Sequence, residues 1–259
     1  MLDILLKLQW LERKPAMAML LGILFPTVGM VFGTLLFPSA PSFPTIFLTT
    51  LAAAPVMIRL LEHEKLDMKA KKFLKRNENV TEAYLFLFLG MAIAFAFWFA
   101  VMPVQMSEWM FTEQLRHAFG ATGAFTFSTD TFFSILANNT GLLFFFFLMA
   151  LFYGSGSIFL LTWNASIAGI MWGNAMRALL LGNTAAFAAG TVFPIPYMIT
   201  EIVAYMLAAI AGGIVAVHLH TQRKVLPIAM KDSMILLGIS VVILIAAAVI
   251  ESIMLAAVV

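Results

Sequence analysis

The sequence predicts an all-α protein, a polytopic bundle of about seven transmembrane helices with six as the smaller alternative and the N-terminus in the cytoplasm. Three observations predict it. Of the 259 residues 63% are hydrophobic and only 11% charged, about half the charged share of an ordinary soluble domain. The apolar residues come in long blocks rather than in the interrupted stripes of a soluble helix. The positive charges gather between particular blocks and avoid others. A bilayer core offers the backbone no water, so blocks of this kind must be helices that bond every main-chain group internally.

At about 20 apolar residues per crossing, spans are expected near Met17 to Phe37, Thr45 to Leu61, Tyr84 to Met106, Thr131 to Phe152, Ser157 to Met176, Ile195 to His218 and Met234 to Ala256. The second block is the shortest and holds Pro55 and Arg59, so it is the first to drop if only six cross. The stretch before span 1 carries Asp3, Lys7, Arg13 and Lys14 and leads into an apolar block too long for a signal-peptide core, which predicts a retained span. Lys and Arg bias orientation. Lys7, Arg13 and Lys14 precede span 1. Arg59, Lys65, Lys69, Lys71, Lys72, Lys75 and Arg76 lie between spans 2 and 3. Arg223, Lys224 and Lys231 lie between spans 6 and 7, which leaves only Arg116 and Arg177 of the 15 basic residues on the outer side.

Two polar connections carry their own patterns. Glu62 to Glu82 places Lys65, Lys69, Lys72 and Arg76 at helical spacing, so an amphipathic helix along the inner leaflet is expected. Its cluster Lys69, Lys71, Lys72, Lys75 and Arg76 reads either as a contact to lipid phosphates or a partner, or as a topology anchor. Ser107 to Phe119 interleaves Trp109, Phe111, Leu115 and Phe119 with Glu108, Glu113, Arg116 and His117, the pattern of a helix lying in the outer interface.

Polar groups inside an apolar span are the default places to look for function. Here they gather in spans 4 to 6 as Asn138, Asn139, Asn164, Asn174, Thr200 and Glu201. At about 1.5 Å of rise per residue, Asn138 and Glu201 lie at similar depths below the outer ends of their spans and can meet, whereas Asn164 stands apart. A carboxylate ringed by amides can glue helices together, relay a proton or bind a cation. Glu251 lies close to the outer chain end and reads as reaching water. Ala208, Ala209, Ala211, Gly212, Gly213 and Ala216 make a small-residue surface on span 6, and Gly154 and Gly156 a tight turn between spans 4 and 5.

Catalytic patterns are thin. His218 and His220 point about 200° apart on a helix and read as boundary residues; there is no His-Glu-x-x-His, nucleophile elbow or Walker loop. With no cysteine, thiol chemistry is excluded. A net charge of +2 argues against a nucleic-acid partner. The expectation is a chain that is not an enzyme and carries no cofactor and no metal.

The polar region resembles the stage II sporulation protein M family of polytopic membrane proteins. The resemblance rests on Ile135 to Asn139, Tyr153 to Gly156, Leu161 to Asn164 with Ala168 and Gly169, and Pro196 to Glu201 running on through Ala204 to Gly213. Tyr197 and Met198 stand where the family often has His-Gly, so no histidine role carries over. The resemblance implies a signature membrane core over 130–220, between N-terminal helices over 1–129 and a C-terminal span over 221–259, with Glu201, Asn138 and Asn139 as signature positions. It also implies a non-catalytic part: the name-bearing member is a membrane component of a wall-remodelling complex. The expected function is a non-enzymatic plasma-membrane scaffold or assembly component. The alternative is a small channel or transporter that handles a cation or proton through Glu201. Expected partners are membrane lipid, another membrane or wall-associated protein, and a second copy of the chain as a homo-oligomer.

Overall fold

The computed structural model describes residues 15–63, 73–119, 129–153, 156–191, 194–221 and 226–257. After a 3-10 turn at Pro15–Met17, ten helices follow: α1 Ala18–Leu36, α2 Ser42–His63, α3 Phe73–Val101, α4 Val104–Met110, α5 Thr112–Phe119, α6 Thr129–Tyr153, α7 Gly156–Leu180, α8 Thr184–Thr191, α9 Pro194–Thr221 and α10 Leu226–Ala257. Among the described residues there is no strand. The protein is an all-α, multi-pass membrane bundle.

The seven long helices match the seven apolar blocks. Six regions are long and apolar enough to cross a bilayer, one of them running through α8 and α9 together. The weak member differs from the expected one. α2 qualifies over Ser42–Arg59 despite Pro55, whereas the 25-residue α7 does not reach the required hydropathy. The reason is environment. α7 packs against α3, α2 and α6, and its Thr162 and Ser166 are buried among them, so it is largely sheltered from lipid and tolerates polar side chains.

Helix ends follow local chemistry. Pro103 cannot continue a helix, so α3 stops at Val101 rather than at the expected Met106. At its other end α3 starts at Phe73, so Lys75 and Arg76 open a spanning helix instead of closing an amphipathic one. Lys69, Lys71 and Lys72 lie outside the described residues, as does Gly154. α7 is terminated by the turn at Gly182, whose φ of 79° suits glycine. The amides of Gly182 and Asn183 return to the carbonyls of Leu179 and Ala178 at 2.9 and 2.8 Å, and Asn183 Oδ1 then caps α8 by accepting from the Ala186 amide at 2.9 Å.

Between apolar helices in lipid, association depends on close packing and polar contacts. Small residues set the closest seams. A Cβ on Gly22 of α1 would collide with the Leu87 carbonyl of α3, and one on Gly90 with the Met19 carbonyl, so these two backbones touch. Gly212 of α9 lies in the same way against the Phe147 carbonyl of α6, which fulfils the expectation of a small-residue surface there; Ala208, Ala209 and Ala211 beside it are buried. Two groups result. α1, α2, α3 and α7 pack together, and α6, α9 and α10 pack together.

The stretch from Ser107 to Phe119 is not a simple interfacial helix. It breaks at Phe111 into α4 and α5, and Phe111 turns inward against Phe95 and Phe99. Gln114 is buried and its Oε1 accepts from Ser42 Oγ at 2.5 Å, while Trp109 Nε1 donates to the Pro38 carbonyl at 3.2 Å. The pair therefore caps the end of the bundle where α2 begins, leaving a cleft of about 650 Å³ beside Trp109, Phe37 and Phe43. Arg177, one of the two basic residues expected outside, donates to the carbonyls of Phe99 and Met102 and to Ser107 Oγ, and its guanidinium lies 4.7 Å from the Phe99 ring centre. It satisfies the last carbonyls of α3, which explains a cation at that end of the bundle.

Candidate functional site: a carboxyl pair between three helices

α6, α9 and α10 meet around an intramembrane polar cluster. Asn139 on α6 is 7% exposed, and its Nδ2 donates to Glu201 Oε1 on α9 at 2.5 Å. The Glu201 carboxyl in turn lies within hydrogen-bonding reach of Glu251 on α10. Glu251 Oε2 is buried without a hydrogen-bond partner among the described residues. Neighbouring carboxyls can share a proton, because a protonated one donates where an ionised one only accepts. The two carboxyls and the Asn139 amide form one polar cluster across the three helices.

Its position follows from counting. Glu201 stands seven residues beyond Pro194 at the start of α9, and Glu251 six before Ala257 at the end of α10. At about 1.5 Å per residue, antiparallel neighbours then carry the two carboxyls at nearly the same depth, about 10 Å from that end. Tyr197 and Tyr205 lie one helical turn before and after Glu201, on the same face of α9. Tyr205 stacks on Phe146 of α6 with ring centres 5.1 Å apart, which fixes α6 against α9 beside the cluster.

Three of the six expected polar residues come together and three do not. Asn138 is exposed, and its Nδ2 donates to Asn139 Oδ1 at 3.1 Å, so hydrogen bonds run from Asn138 through Asn139 to Glu201. Thr200 is turned back on its own helix, with Oγ1 donating to the Pro196 carbonyl at 2.7 Å. Asn164 does the same to Leu160 at 2.8 Å, and Asn174 is exposed near the far end of α7. A polar side chain on a helix can always satisfy itself on the carbonyl one turn back, so polarity alone did not separate these residues from Asn139.

Glu251 is the residue the sequence reading passed over. It was expected to reach water; instead α9 covers it. The signal was present, because the same count that placed Glu201 places Glu251 level with it. His218 lies three residues before the end of α9, as a boundary residue does, but is packed inside the bundle: it is 3% exposed, with Nδ1 2.6 Å from the Ile214 carbonyl. Among the described residues no group of three or more potential metal-binding side chains occurs.

Comparison with protein families finds a match to stage II sporulation protein M over residues 85–254. This is about two thirds of the chain and takes in α6, α7 and α9 whole and nearly all of α10. The chain belongs to the stage II sporulation protein M family. A comparison with curated proteins and with solved structures finds no match. The family match runs from α3 past Glu251, so both carboxyls and both asparagines lie inside it.

Proposed function

We propose that this stage II sporulation protein M family member is a non-enzymatic scaffold or assembly component of a plasma-membrane complex. The observation that carries the reading is where the intramembrane polar groups go: Asn139 of α6 bonds to Glu201 of α9, with Glu251 of α10 beside them. A polar lock of this kind fixes the relative positions of three helices, which is what a surface for other proteins requires. Family membership supports it, as the family is named for a membrane component. Partners are then membrane proteins or wall-associated proteins, and lipid headgroups at the basic connection between α2 and α3. Crosslinking in native membranes followed by mass spectrometry tests this: specific protein neighbours are expected, and recovery of the chain alone overturns it.

One observation favours a second reading. A proton shared by two carboxyls, with Glu251 Oε2 lacking another donor, is chemistry that proton or cation handling would use. Purified protein in liposomes separates the two. The scaffold reading expects no proton or cation flux; flux that disappears in Glu201→Gln replaces it with a transporter.

A further inference from the structure

The outward face of α6 carries polar chemistry that lipid cannot satisfy. Ser134, Asn138, Gly141, Phe145, Leu148 and Phe152 are all exposed and, at 3.6 residues per turn, fall within about 80° of arc. The opposite side of the helix, with Asn139, Leu143, Phe146 and Ala150, is buried against the bundle. Asn138 lies six residues into the apolar span that begins at Phe132, about 9 Å from its edge and inside a hydrocarbon core about 30 Å thick. Its Nδ2 makes one bond, to Asn139, and its Oδ1 has no partner among the described residues. An amide carbonyl in hydrocarbon is costly.

Gly141, on the same face and one turn further in, keeps the helix backbone bare beside Asn138. A Cβ there would meet nothing within 4 Å. Gly22, Gly29, Gly33, Gly90, Gly169, Gly173 and Gly212 all abut a neighbouring helix closely, whereas Gly141, like Gly182 and Gly238, faces open space.

We propose that this face of α6 is a self-association surface, and that its occupant is a second copy of the chain in parallel orientation. The occupant is argued from complementarity. An amide offers both donor and acceptor, so Asn138 is matched by the same group. Two copies inserted in the same direction are related by a two-fold axis along the membrane normal, and this brings Asn138 of the partner subunit to the same depth. Gly141 permits the close helix approach that such amide pairing needs. Because Asn138 is bonded to Asn139, and Asn139 to Glu201, the contact ends the hydrogen-bond chain that starts at the carboxyl pair. The inference goes beyond the scaffold reading and does not depend on it, since a transporter could pair in the same way.

The cysteine-free chain makes the test direct. Gly141→Cys and Gly238→Cys are compared in full-length protein in native membranes under mild oxidation; Gly238 on α10 is also exposed, with open space at its Cβ, and serves as the control. A disulfide needs Cα atoms within about 7 Å, so a dimer-sized band is expected for Gly141→Cys and none for Gly238→Cys. Single-molecule photobleaching of the cysteine-free protein in vesicles is expected to show two subunits. Asn138→Leu should weaken that dimer about three- to tenfold, by loss of one or two interhelical hydrogen bonds. Gly141→Ile should abolish it while leaving the melting temperature of the detergent-solubilised monomer unchanged. Single-step photobleaching, equal crosslinking at both positions, a dimer indifferent to both substitutions, or crosslinks from residue 141 to a different polypeptide each overturn the proposal.

Discussion

Replacing Glu201 by leucine removes two cross-helix contacts at once, the bond from Asn139 and the contact with Glu251. Interhelical hydrogen bonds in membrane proteins contribute about 0.6 kcal/mol on average and up to about 1.7. The pair together is then expected to cost about 1 to 3 kcal/mol. For a chain of this size that corresponds to a fall of roughly 2 to 10 °C in Tm. Glutamine behaves differently. Its carbonyl accepts from Asn139 and its amide donates to Glu251, so Glu201→Gln should stay within about 0.5 kcal/mol of the parent. A double-mutant cycle of Asn139→Leu and Glu201→Leu, measured by thermal or denaturant unfolding in one detergent, isolates the Asn139 bond and should return a coupling of about 0.6 to 1.7 kcal/mol. A coupling indistinguishable from zero would refute the polar lock. Equal losses in the leucine and glutamine variants would refute the reasoning that hydrogen bonding, rather than the acid itself, holds α9 to its neighbours.

Three further outcomes are expected. Gly212→Val should destabilise by about 2 kcal/mol or more, because its Cβ meets the α6 backbone at Phe147, whereas Gly141→Val should cost well under 1 kcal/mol in the monomer; similar losses on a detergent melt would contradict the seam. Arg177→Met should lower stability by about 1 to 3 kcal/mol, with the end of α3 fraying, since three acceptors lose a charged donor; unchanged hydrogen exchange at residues 99–102 would count against it. An impermeant thiol reagent added to intact cells should label Ser39→Cys or Glu113→Cys and leave Lys72→Cys untouched, and the reverse pattern would invert the expected orientation.

Block length and charge placement made the seven long helices legible, and their ends mostly fell within a few residues of the expected ones. Where the ends moved, the cause was local: Pro103 shortened α3, and α10 begins eight residues early at Leu226 because Pro227 suits a first turn and nothing between it and Met234 breaks a helix. What hydropathy could not convey was which helix faces lipid. α7 alone of the long helices lacks a membrane-length stretch of sufficient hydropathy, because its neighbours are protein, and Asn164 stands apart as expected because α7 packs mainly with α3. The Asn139–Glu201 contact was readable from depth. The split in roles between Asn138 and Asn139 was not, since adjacent residues on a helix point about 100° apart and only the packing of α6 decides which one turns inward.

The separation of the long helices into two groups has a consequence for how the chain is made. α1, α2, α3 and α7 pack together, yet α6 is synthesised before α7 and finds its main partner only in α9. Asn139 precedes Glu201 by 62 residues. At about 5 to 20 residues per second, the asparagine waits about 3 to 12 s on the ribosome's schedule before its carboxyl partner exists. During that interval both faces of α6 are open to lipid or to the insertion machinery, with an amide exposed on each. Biogenesis thus leaves a window in which a neighbouring chain, rather than α9, can reach Asn139 first, and late synthesis of α9 and α10 closes it.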